Sequence, residues 1–133
     1  MKHTLYIIAA AALLLTGCSK ADDNGDLGGN WQLDADTYFS IYTNMAQWRQ
    51  ISRPGTIYMS YFRQEGDSLF LTLHDGRLGM YRNDGSNDEP LTDAAQMPAA
   101  LPVPANFAYR IQKVGADSLV LSAEGRTLRM RRY

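Results

Sequence analysis

The chain has 133 residues, thirteen Lys and Arg against fourteen Asp and Glu, a formal charge of −1 and a single cysteine. So even a balance gives no field for a polyanion, so nucleic acid is not an expected partner, and a lone cysteine leaves no disulfide within the chain. The length suits one domain with one hydrophobic core.

Taken from the N-terminus, Lys2 and His3 make a short basic start, and Leu5 to Leu15 is an unbroken apolar run. That is the length of a secretory h-region and too short to cross a bilayer. Leu15-Thr16-Gly17-Cys18 follows and resembles a bacterial lipobox. The resemblance implies cleavage before Cys18, two acyl chains on its thiol and a third on the new amino group. Each buried methylene adds about 0.8 kcal/mol, so several chains anchor where one would not. Residues 1–17 are thus expected to be a cleaved signal peptide and residues 18–28 a lipidated cysteine with a tether. Residues 29–133 are expected to form the folded domain. Loss of Lys2 with the leader leaves twelve basic against fourteen acidic residues, a formal charge of about −2. The tether has no apolar period, and ten such residues reach about 18 Å. Its Asp22-Asp23 pair resembles the surface-export signal of some Gram-negative lipoproteins, which implies an outer-membrane address and makes cell-surface exposure an expectation.

Beyond the tether the chain alternates with period two. Trp31, Leu33 and Ala35 share one parity, as do Leu69, Leu71 and Leu73, Tyr109 and Ile111, Leu119 and Leu121, and Leu128 and Met130. Thr56 to Gln64 is rich in Tyr, Ile and Phe, which suit a pleated surface. Short alternating runs cut by Gly and Asp predict an all-β, antiparallel domain. The exception is Glu89 to Pro104, with four prolines and no alternation. Thr92 could cap a single helical turn over Asp93 to Met97, ended by Pro98. With the polar Asn83–Glu89 stretch it reads as one long connection, either a binding loop or a surface excursion.

Gly66-Asp67-Ser68-Leu69 spells the signature of a serine esterase family. Gly115-Ala116-Asp117-Ser118-Leu119 repeats the pattern where another strand is due to begin. Gly tolerates positive φ and Asp bonds its own backbone, so both copies read as turns. An esterase serine also needs a base with its own orienting partner. His74 is the only histidine left after the leader, six residues and roughly 20 Å along a strand from Ser68. The chain is read as non-enzymatic. One histidine and one acylated cysteine cannot make a transition-metal site, and no cofactor or metal is expected. Arg126, Arg129, Arg131 and Arg132 cluster near the C-terminus and read as strand faces reaching solvent.

Gly29-Asn30-Trp31 at the head of the first strand, an antiparallel meander and a last strand rich in Arg together resemble the lipocalins, and most closely the small lipocalin-like lipoproteins of Gram-negative bacteria. The resemblance implies a small barrel of about eight strands, with an Arg of the last strand packed over Trp31. Arg129, Arg131 and Arg132 are all candidates. A barrel of that size is either filled by side chains or holds one small ligand. The first expectation is therefore a lipid-anchored envelope protein binding a small apolar ligand or an envelope protein partner, with Trp31, Trp48 and Tyr58 as ligand-binding candidates. The alternative is a structural or interaction accessory subunit with a filled barrel. Interior volume discriminates: a cavity of several hundred Å³ walled by Trp31 or Trp48 supports the ligand.

Overall fold

The computed structural model describes residues 27–133. The leader, Cys18 and most of the tether lie outside these residues. Alternation carries the rest into strands: β1 (Gly29–Gln32), β2 (Thr37–Ile41), β3 (Met45–Gln50), β4 (Ile57–Glu65), β5 (Ser68–Thr72), β6 (Met80–Asn83), β7 (Asp88–Leu91), β8 (Ala108–Val114), β9 (Ser118–Ala123) and β10 (Arg126–Arg132). β1 is shorter than its alternation. After Gln32 the Asp34 carboxylate accepts from the Asp36 and Thr37 amides (2.9 and 2.8 Å), and this local bonding competes with strand pairing and bends the chain. Leu27, assigned to the tether on sequence grounds, is 2% exposed and belongs to the core.

β1 to β4 form a meander. β4 then carries two strands along one side, with β5 against residues 61–65 and β6 against residues 57–59. β5 and β6 are therefore one course broken by an excursion over residues 73–79. β8 pairs with β5 and β7 with β6, so β7 and β8 form a second course, broken by residues 92–107. β9 and β10 follow, and β10 returns to β1 through Trp31↔Arg132 and Gln32↔Arg131. Ten strands thus run as eight antiparallel courses closed into a barrel, which removes most free edges. Gly79, at the rejoining of the broken course, is there for space: a Cβ would lie 2.6 Å from the Leu91 carbonyl oxygen.

The long connection expected after Asn83 is divided by β7. Pro90 fits in that strand because β7 pairs on one side alone, where a missing N–H costs nothing. The helical turn exists as a 3-10 turn at Ala94–Gln96, capped by Asp93 and not by Thr92, with the Asp93 carboxylate accepting from the Ala95 amide. Gly66-Asp67-Ser68 and Gly115-Ala116-Asp117-Ser118 both lead into strands, since Ser68 opens β5 and Ser118 opens β9.

Candidate functional site

The inward positions of the first four strands place aromatic rings side by side. The register aligns Trp31 with Phe39, Phe39 with Trp48, and Trp48 with Tyr58. The three sequence candidates are therefore brought together in one row, joined by Phe39, whose shared parity with Ile41 marks it in the sequence. Phe39 and Trp48 lie 4.5 Å apart between centroids, a favourable tilted contact. Trp31, Phe39 and Trp48 are 0% exposed and Tyr58 is 6% exposed. A cavity able to admit water would expose the rings that wall it. These rings meet side chains instead.

One end of the barrel is closed at Trp31. Its Nε1 donates to the Leu27 carbonyl (2.7 Å), and the Arg132 guanidinium lies 4.3 Å from its ring centroid. Arg132 also donates to the Gly28 carbonyl (2.8 Å) and, from Nε, to the Ala116 carbonyl (2.5 Å). Of the three arginines the sequence left open, Arg132 is the one over Trp31. Arg129 and Arg131 have the opposite parity and are exposed. Gly29 has φ +124, and a Cβ there would stand 2.6 Å from Arg132 Nη1. The glycine two residues before the tryptophan makes room for the cation above the ring.

Near the break in the seventh and eighth strands sits Tyr109. Trp48 Nε1 donates to its hydroxyl (3.2 Å), which donates to the Pro102 carbonyl (2.6 Å). Burial pushes the phenol well above the ordinary tyrosine value of 10.0, opposed by the Trp48 hydrogen bond, so it stays a neutral donor. The 92–107 segment packs Met97, Leu101 and Phe107 into the core. The Glu124 carboxylate accepts from the Ala105 amide, and the Leu71 amide donates to the Phe107 carbonyl (2.8 Å). Phe107 itself holds φ 53, an unusual conformation for a bulky residue that its surroundings must enforce. The segment is a plug bonded from several sides. Beneath it lies a recess of about 30 Å³ lined by Pro102, Tyr109, Glu124 and Leu128, room for about one water.

A model of the lipocalin-like domain matches residues 13–133. The chain belongs to the lipocalin-like domain family. Among solved structures, it is similar to a lipocalin-like protein from Bacteroides uniformis, at 15% identity and a TM-score of 0.54, with 81% of this chain and 99% of that chain covered. At that identity the likeness shows the fold. No curated protein matches.

In this lipocalin-like barrel Ser68 sits at the mouth of the β4–β5 hairpin, opposite Glu65. His74 lies beyond the other end of β5, with its Nδ1 2.7 Å from the Tyr81 hydroxyl. β5 thus holds the two apart. Among the described residues no three His, Cys, Asp or Glu side chains gather as a metal set. The sequence marked the proline-rich stretch as a binding loop or a surface excursion and Tyr109 as an alternating strand residue. It did not show that the stretch is buried as a plug or that Tyr109 bonds it. Proline richness hides the plug's buried residues, because Met97, Leu101 and Phe107 follow neither period.

Proposed function

We propose that the protein is a lipid-anchored, non-enzymatic lipocalin-like barrel of the cell envelope. In this reading its filled interior makes it a rigid module that meets an envelope partner with its outside. The supporting observation is the inner row: Trp31, Phe39 and Trp48 have no surface open to water, and the Tyr109 hydroxyl is already spent on Pro102. A drug-sized ligand needs about 300 Å³ or more, ten times the recess under the plug. Ligand binding inside the barrel would therefore require residues 92–107 to withdraw.

Two experiments test the reading. A lipophilic dye titrated into the protein is expected to show no saturable binding; a stoichiometric site quenching Trp48 would overturn the filled-barrel reading. Wild-type protein is expected to incorporate labelled palmitate and to fractionate with membranes. Cys18→Ala should lose both, and its retention in the membrane fraction after detergent-free extraction would overturn the anchor.

A further inference from the structure

Five of the eleven Lys and Arg among the described residues pair with a carboxylate or lie over a ring. Arg63 pairs with Glu65 and lies over Phe70, Arg77 pairs with Asp75, and Arg82 with Glu89. Arg49 lies over Tyr38 and Arg132 over Trp31. Arg110 and Lys113 on β8, with Arg129 and Arg131 on β10, are not among these five, and neither are Arg53 and Arg126. Arg110, Lys113, Arg129 and Arg131 are all exposed, and among the described residues none pairs with a carboxylate, Arg131 bonding the Gln32 amide oxygen instead.

The register collects these four on one outer wall. Lys113 and Arg129 oppose Val120 from its two sides, Arg110 opposes Ser122, and Arg131 opposes Ser118. With courses about 4.8 Å apart, Lys113 and Arg129 stand about 10 Å from each other across Val120. β9 between them brings no charge. Val120 is only 9% exposed yet lies outside the core cluster, as expected if the long stems beside it cover it. The acids lie at the margins. Asp67 and Asp117 precede Ser68 and Ser118 at the turns, and Glu124 at the β9–β10 hairpin bonds Ala105. Two shallow, open depressions of about 410 and 510 Å³ border the wall, one between Arg129, Arg131 and Asp34, the other between Arg110 and Ser122 with Asp67 and Glu124 on its rim. Like charges gathered this way repel unless a counter-charge comes from outside.

We propose that the β8–β9–β10 wall lies on the membrane and takes the anionic phospholipid headgroups of the leaflet that holds the Cys18 acyl chains. This rests on the lipid anchoring proposed above. Charge complementarity is one argument, since a plane of phosphates meets a shallow cationic wall with an apolar centre. The chain's entry is the other. The tether joins the fold at Gly28, whose carbonyl is held by Arg132 of β10 itself (2.8 Å). Eight residues separate Cys18 from the buried Leu27, and eight residues span at most about 29 Å, so the wall hangs close to the headgroup plane.

The test uses the acyl-free mature chain, residues 19–133, because all ten strands and the core cluster lie within residues 27–133. It is mixed with phosphatidylcholine vesicles with and without phosphatidylglycerol. Partition is expected onto the phosphatidylglycerol vesicles alone, weakening with salt. Arg110→Gln, Lys113→Gln, Arg129→Gln and Arg131→Gln should each lower it about five-fold. Arg53→Gln and Arg77→Gln, which remove the same charge elsewhere, should leave it unchanged, and melting curves confirm that every variant is folded. No partition onto anionic vesicles would overturn the proposal, as would an equal loss in Arg77→Gln. Binding seen only after Asp22, Asp23 and Asp26 are neutralised would overturn it too, giving the wall to the chain's own acidic tether. The assay contains no acyl chain, so its failure condemns the wall and leaves the anchor to the palmitate experiment.

Discussion

Trp31, Arg132 and Gly29 act as one unit. The cation over the ring contributes about 0.5–2 kcal/mol, and the same guanidinium holds the carbonyls of Gly28 and Ala116. Arg132→Met should cost about 2 kcal/mol in urea unfolding and lower Tm by about 10 °C. Gly29→Ala should be less harmful in the Arg132→Met background than alone, because the added Cβ meets Arg132 Nη1; strictly additive losses would show that the backbone angle alone requires the glycine. Ser60 is a residue-scale defect: it is 0% exposed and its Oγ has no hydrogen-bond partner. A buried hydroxyl left unpaired costs about 1–3 kcal/mol. Ser60→Ala is therefore expected to stabilise the fold by about 1 kcal/mol, and a lower denaturation midpoint would refute this.

At the scale of elements, the plug depends on Tyr109. Tyr109→Phe strands Trp48 Nε1 and the Pro102 carbonyl without the hydroxyl they share, and should open the plug about ten-fold more often. Limited proteolysis within residues 92–107 reads this directly, and an unchanged cleavage rate would mean that Glu124 and the apolar contacts suffice. The pH dependence has a definite sign. Burial raises the folded phenol above its ordinary 10.0, so its contribution is whole below about pH 10 and drains away as pH climbs past that value. Tyr109→Phe should flatten that part of the alkaline limb. The broken courses show why strand count misleads here. β5 with β6, and β7 with β8, each occupy one place in the barrel, and Gly79 lets the first rejoin beside Leu91. Gly79→Ala should destabilise by about 1–3 kcal/mol, since backbone is the obstacle.

For the whole molecule, eight closed courses around an aromatic row leave the wall outside as the surface with unused chemistry. Both tryptophans are wholly buried, so acrylamide should scarcely quench the native emission, whereas efficient quenching would show water reaching the inner row and would favour a ligand chamber. In the proposed reading, function at this scale is a matter of which outward face meets what, and Arg110, Lys113, Arg129 and Arg131 single out one.

The sequence alone determined the all-β class, the Gly-x-Trp signature and the turn at Ser68. These rest on local rules: period two puts alternate side chains on opposite faces, and Gly with Asp bends the chain between strands. The expectation of about eight strands came from the lipocalin resemblance and agrees with the eight courses, although β7 was hidden by its acids and proline. Tertiary structure decided the rest. Choosing Arg132 over its neighbours required the parity of β10 and its pairing with β1, a contact between opposite ends of the chain. Filling the barrel required the plug's Met97, Leu101 and Phe107, which obey no period because they are buried by an irregular path. Gathering Arg110, Lys113, Arg129 and Arg131 on one wall required the register of three strands, and no spacing along a single segment records how separate strands align.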